Sequence, residues 1–130
     1  MAQKYIIGDL VKYKVGGLEF IAEITNTSKY GYCFKGVRDD ISGTLCKEFA
    51  KDIPLTLEIL QKNGWEPTKE SLGHSLKNKK YPRFALWSIN DKWNFTIDGV
   101  MVCNTLSCLC YVHELQHLLF GLGINHEMEV

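Results

Sequence analysis

The sequence has no run of about 18 or more apolar residues, so no membrane-spanning helix is expected. It has no excess of either charge: 15 Lys and Arg balance 15 Asp and Glu. No global field therefore draws it to nucleic acid or to a membrane surface. The apolar stretch within Met1-Ala2-Gln3-Lys4-Tyr5-Ile6-Ile7-Gly8-Asp9 is too short for a secretory signal. Its 5 cysteines are odd in number and form no C-x-x-C pair. This predicts reduced thiols in a cytoplasm rather than a disulfide framework. Gly16-Gly17 and Gly121-x-Gly123 lack the setting of a phosphate-binding loop, and no internal repeat or low-complexity segment occurs.

What is present suits a globular protein. The chain has 130 residues, of which 45% are hydrophobic and 23% charged. Its 3 Trp, 6 Tyr and 6 Phe are enough to build a core without disulfide staples. The length allows one domain or two very small lobes.

The first forty residues read as strands. Asp9 to Lys14 alternates polar and apolar, Gly16-Gly17 suits a tight hairpin, and Leu18, Phe20, Ala22 and Ile24 share one face. Tyr30 to Val37 gives a third strand. Ser42-Gly43 should turn, with a short strand within Thr44 to Phe49. Thr56 is a good N-cap for a helix that Asn63-Gly64 ends. Glu66 to Pro82 is polar and reads as a long loop. Arg83 to Ile89 and Lys92 to Ile97 form strands joined at Asn90-Asp91, and Asp98-Gly99 turns the chain into Val100 to Cys103. A last helix runs from about Leu109 to Leu122, with Leu109, Val112, Leu115, Leu119 and Leu122 facing a sheet.

The expected fold is therefore α+β. An SH3-like small β-barrel or meander at the N-terminus leads to a central helix. A C-terminal antiparallel sheet follows, packed by a C-terminal helix. Residues 1–52 form the β-rich lobe and residues 53–130 the second, unless the two are one continuous domain.

One pattern carries chemistry. His113-Glu114-Leu115-Gln116-His117 matches the H-E-x-x-H of zinc peptidases. On a helix both imidazoles lie on one face, able to reach one zinc, and Glu114 would act on a metal-bound water. Catalytic zinc needs a third protein ligand. The metzincin extension fails, because Phe120 and Gly123 stand at its Gly and His positions. No helical run follows to supply a gluzincin carboxylate, and His126, Glu127 and Glu129 would serve only if the tail folded back. The expectation is that His113 is hydrogen-bonded against a sheet, His117 is exposed, and no metal is held.

Other clusters are weaker. Cys103, Cys108, Cys110 and His113 lack structural-zinc spacing and read as buried, metal-free thiols. Ser71, His74 and Ser75 lack an orienting acid and a nucleophile turn. Lys77-Asn78-Lys79-Lys80 with Arg83 is a small basic patch whose only aromatic is Tyr81, too thin for a stacking face.

Three stretches together resemble a family of small uncharacterised proteins of Bacteroidota and their phages. Gly8-Asp9-Leu10-Val11 looks like its opening strand. Ile53-Pro54-Leu55-Thr56-Leu57-Glu58-Ile59-Leu60-Gln61-Lys62-Asn63-Gly64-Trp65 is similar to its I-P-L-T-x-E-x-L-x-x-x-G-aromatic helix. Tyr111-Val112-His113-Glu114-Leu115-Gln116-His117-Leu118 resembles its closing Y-V-H-x-L-Q-x-L helix. The resemblance covers most of the chain, departing between Met101 and Cys110. It implies an architecture and a genomic setting without an activity. It also implies that Glu114 and His117 fall on variable positions, so that the H-E-x-x-H match is accidental. The sequence thus predicts a non-enzymatic cytoplasmic accessory or interaction protein whose partner is another protein. The alternatives are a zinc-dependent peptidase through His113, Glu114 and His117, and a nucleic-acid-associated factor.

Overall fold

The computed structural model describes residues 4–38, 40–69, 75–89, 92–101 and 109–130. It is mixed α and β, with two antiparallel five-stranded sheets and two helices. Two compact units emerge. One groups the described residues up to Ile53 with Tyr111–Glu127, and the other groups Pro54–Cys110 with Met128–Val130.

In the first unit, β1 (Leu10–Val15), β2 (Leu18–Thr27), β3 (Tyr32–Gly36), β4 (Ser42–Leu45) and β5 (Ala50–Lys51) lie in the order β4-β3-β2-β1-β5. Gly16, at φ +58°, makes the two-residue hairpin that sets Val15 opposite Leu18. From that register Val11, Tyr13, Phe20, Ala22, Ile24, Tyr32 and Phe34 all turn to one core, with Tyr5 added from the N-terminal segment. Removing each large side chain from water contributes about 1.5–3 kcal/mol. Ser42-Gly43, expected to turn, instead lies in β4 opposite Lys35 and Phe34. A single 3₁₀ turn, Lys47–Phe49, then delivers the chain to β5.

The second unit opens with helix α1 (Leu57–Lys62). Thr56 caps it, accepting from the Ile59 N–H at 3.2 Å, and Gly64 follows in the left-handed region at φ +88°. Next come β6 (Trp65–Pro67), β7 (Ser75–Asn78), β8 (Tyr81–Ile89), β9 (Lys92–Ile97) and β10 (Val100–Met101), in the order β10-β9-β8-β7-β6. The expected long loop over Glu66 to Pro82 thus contains two strands. Asp98 and Gly99 both adopt positive φ, as a type I′ turn requires. Asn90-Asp91, the other expected turn, lies outside the described residues. Leu60, Trp65, Leu76, Leu86, Trp93 and Phe95 are buried in this unit, and the Trp93 indole donates to the Leu55 carbonyl at 3.1 Å.

Helix α2 (Val112–Gly121) departs furthest from expectation. It belongs to the first unit, not to the C-terminal sheet it was expected to cover. The stripe it buries is Val112, His113, Leu115, Gln116 and Leu119. Leu122 is exposed, and Leu109 pairs with Trp93 ahead of the helix. Two of the five buried positions are polar, so this face needs a surface with hydrogen-bonding groups as well as apolar ones. Gly123, at φ +73°, closes the helix. Its N–H reaches the Phe120 carbonyl and the Ile124 N–H reaches that of Leu119, both at 3.0 Å, which is a Schellman pairing. No described helix is long and apolar enough to cross a membrane.

Candidate functional site

The polar groups of the first unit converge where the N-terminal segment, the end of β5 and the first turns of α2 meet. Asp9 precedes β1 and is only 1% exposed. Its backbone is fixed within the sheet, its carbonyl accepting from the Ile24 N–H at 2.9 Å. Its side chain accepts the Ile6 N–H at 2.9 Å and lies 2.7 Å from His117 Nε2. A buried carboxylate must find such partners, since desolvation without them costs several kcal/mol, of order 2–7 even for an uncharged polar group.

Asp52 follows β5 directly. Its Oδ1 accepts the Tyr5 hydroxyl at 2.5 Å and its Oδ2 accepts the Lys4 ammonium at 2.9 Å. Burial pushes the Asp52 carboxyl up, but the hydrogen bonds from Tyr5 and Lys4 outweigh it and hold the group below the usual carboxylate range. Burial, together with the Asp52 acceptor, drives the Tyr5 phenol well above its ordinary value.

His113 sits against this pair and is 6% exposed. Its ring meets Tyr5 edge-on at 5.0 Å and stacks parallel to Tyr111 at 6.0 Å. Its Nδ1 is buried without a hydrogen-bond partner among the described residues, 3.7 Å from Asp52 Oδ1. Burial lowers its basicity more than Asp52 and Asp9 raise it. His113 is buried as expected, but the short contact is made by the other histidine. The His113 Nδ1 has no partner among the described residues, while His117, with 36% of its side chain exposed, lies 2.7 Å from Asp9. The helix phase buries position 113, and Asp52, whose Oδ1 lies 3.7 Å from Nδ1, is already held by Tyr5 and Lys4.

Gln116 completes the cluster. It is 1% exposed and uses both ends of its amide. Its Oε1 accepts the Leu10 N–H at 3.0 Å, and its Nε2 donates to the carbonyls of Gly8 and His126 at 3.1 and 3.2 Å. One side chain thus ties the helix to the start of β1 and to the chain beyond the helix.

The H-E-x-x-H residues do lie close together: the rings of His113 and His117 are 5.5 Å apart. Glu114, however, turns back to the helix start and accepts the Tyr111 N–H at 2.9 Å, an N3 capping contact. His117 Nε2, a nitrogen a zinc would use, faces Asp9. Among the described residues no three His, Cys, Asp or Glu side chains group as a metal site requires. His126, the nearest histidine of the tail, packs edge-on against Phe120 at 5.1 Å. Glu129 joins Asn63 of the second unit through its backbone N–H at 2.8 Å.

Ser71, His74, Cys103 and Cys108 lie outside the described residues. Ser75 is buried in β7. Cys33 and Cys46 are free thiols. Tyr5, Asp9 and Asp52 went unmarked as site residues in the sequence. The one available signal was Asp9, a charged residue at the mouth of a strand of buried side chains.

Beside this cluster the same unit has an apolar groove of about 560 Å³, lined by Ile6, Ile7, Gly8, Thr27, Phe120 and His126. Ile6, Ile7 and Phe120 are exposed there. Gly8 is at φ +96°, and a Cβ on it would come within 3.2 Å of the His126 ring, so a side chain is excluded twice over.

No protein-family model, curated protein or solved structure matches the chain.

Proposed function

We propose that this chain is a small non-enzymatic accessory or interaction protein of a bacterium or its phage, acting in the cytoplasm on another protein. The observation that carries this reading is the commitment of the H-E-x-x-H side chains to holding the fold. Glu114 caps its helix, His117 pairs with buried Asp9, and His113 is packed between Tyr5 and Tyr111. A peptidase would need those groups turned toward metal, water and substrate. The groove edged by Ile6, Ile7 and Phe120 supports a binding role, because exposed apolar side chains gathered in a concave surface favour contact with another molecule.

Within this reading the first unit is an SH3-like barrel or meander, its sheet open between β4 and β5. Its support is the return of β5 to the side of β1 after the 3₁₀ turn at Lys47–Phe49, following three consecutive antiparallel pairings.

The test is elemental analysis of tag-free protein together with a casein hydrolysis assay. Absence of stoichiometric zinc and of hydrolysis is the expected result. Bound zinc with hydrolysis abolished in Glu114→Gln would replace the reading with the peptidase.

A further inference from the structure

We propose that His113 is a proton-sensitive latch: taking up a proton on its buried imidazole loosens helix α2 from the first unit. Three features of the geometry lead there. The ring is almost wholly buried, so water cannot solvate an imidazolium. Nδ1 has no hydrogen-bond partner among the described residues, and the Asp52 Oδ1 3.7 Å away already accepts from Tyr5. His113 is also the second residue of α2, where the positive end of the helix dipole opposes a cation.

The charged and titratable groups around the ring come from every element packed on it. Lys4, Tyr5 and Asp9 come from the N-terminal segment, Asp52 from the end of β5, Tyr111 from the helix start, and Glu114 and His117 from α2 itself. Asp52, Asp9 and Glu114 attract the proton, His117 repels it, and burial decides the balance against it. The sign follows. A histidine whose folded-state basicity is depressed takes up its proton more readily when released. The unfolded or detached form then binds more protons below about pH 6.5, and attachment weakens as pH falls. Above that pH the latch is fully closed.

The latch is placed to matter. On the same helix, Gln116 holds the start of β1 and the tail carbonyl of His126, and Phe120 and His126 line the apolar groove. Loosening α2 would dismantle one wall of that groove. This device stands whether or not the groove binds a protein, since its readout is the helix alone.

Native-state hydrogen exchange on the full chain, from pH 7.5 to 5.0 and corrected for intrinsic rates, tests the proposal. The opening equilibrium of α2 amides should rise by up to about tenfold per pH unit below pH 6.5, the limit for one linked proton. Strands β8 and β9 of the second unit should show no such slope. His113→Gln, which cannot titrate but keeps Asp9 and His117, should flatten the α2 slope. An equal slope in wild type and His113→Gln, or the same slope in both units, would overturn the latch. Should the variant fail to fold, the His113 ring-proton NMR titration of the wild type decides. A midpoint below 6.5 supports the latch, and one at or above 6.5 refutes it.

Discussion

His117 Nε2 lies 2.7 Å from Asp9 Oδ2, joining a half-exposed imidazole on α2 to a carboxylate buried at the mouth of β1. The pair is separated by 108 residues in sequence, so it closes the first unit end to end. His117→Ala should therefore not behave as a surface change. It leaves the buried carboxylate with the Ile6 N–H as its remaining side-chain partner among the described residues, and the expected loss is about 1–3 kcal/mol in chemical denaturation. Asp9→Ala should cost more, because the Ile6 contact goes as well. Losses below about 0.5 kcal/mol for both would mean that water replaces the pair without penalty.

Gln116 should be less replaceable still. Gln116→Leu keeps the volume but leaves the Leu10 N–H and the carbonyls of Gly8 and His126 to find new partners. With at least one of them buried, the expected cost is about 2–4 kcal/mol. Gln116→Glu should be no better at neutral pH, because two carbonyl oxygens would then face a carboxylate. Thermal melts of the two variants beside wild type would check this, and a Glu variant as stable as wild type would contradict the assigned amide orientation.

Local signals in the sequence were readable because their partners are near. Thr56 with Gly64 bounds α1, and Gly16 and Asp98-Gly99 turn their hairpins, each by a conformational requirement confined to a few residues. β6 and β7 were missed because Trp65–Pro67 and Ser75–Asn78 are short and polar. They become strands only by pairing with each other across several intervening residues and with β8. The partner of α2 was missed for a different reason. Apolar spacing reveals a helix face but not the surface it meets, and here His113 and Gln116 on that face point to a polar counterpart. Val112, His113, Leu115 and Gln116 are four of the five residues the helix buries. Glu114 and His117 are less buried, and the roles they take depend on Tyr111 and Asp9.

The thiol state gives a third expected outcome. Cys33 and Cys46 are free, and Cys33 Sγ lies 3.3 Å from Thr44 Oγ1 across two paired strands. Counting thiols in denatured, unreduced protein should return all five, Cys103 and Cys108 included. A count of three or one would indicate disulfide formation and an oxidising compartment.

Nucleic acid is the binding partner the basic run would favour, and the structure weakens its prospects. Arg83 is tied to Asp98 by contacts of 2.6 and 3.0 Å, so its charge is locally balanced. Lys77 stands opposite Glu66 in the β6–β7 register. Tyr81, the one aromatic of the run, stacks on Phe84 with ring centres 5.8 Å apart, which occupies one of its faces. Lys79 and Lys80 remain at the β7–β8 turn, too few cations for a backbone footprint. Non-specific binding through so few phosphate contacts is weak and falls steeply with salt. No DNA or RNA binding tighter than about 10 µM is expected at physiological salt, against typical non-specific constants of about 10⁻⁴–10⁻⁶ M. Fluorescence anisotropy with single-stranded and duplex oligonucleotides measures this directly. Sub-micromolar binding lost on neutralising Lys77, Lys79 and Lys80 together would make this face a nucleic-acid site.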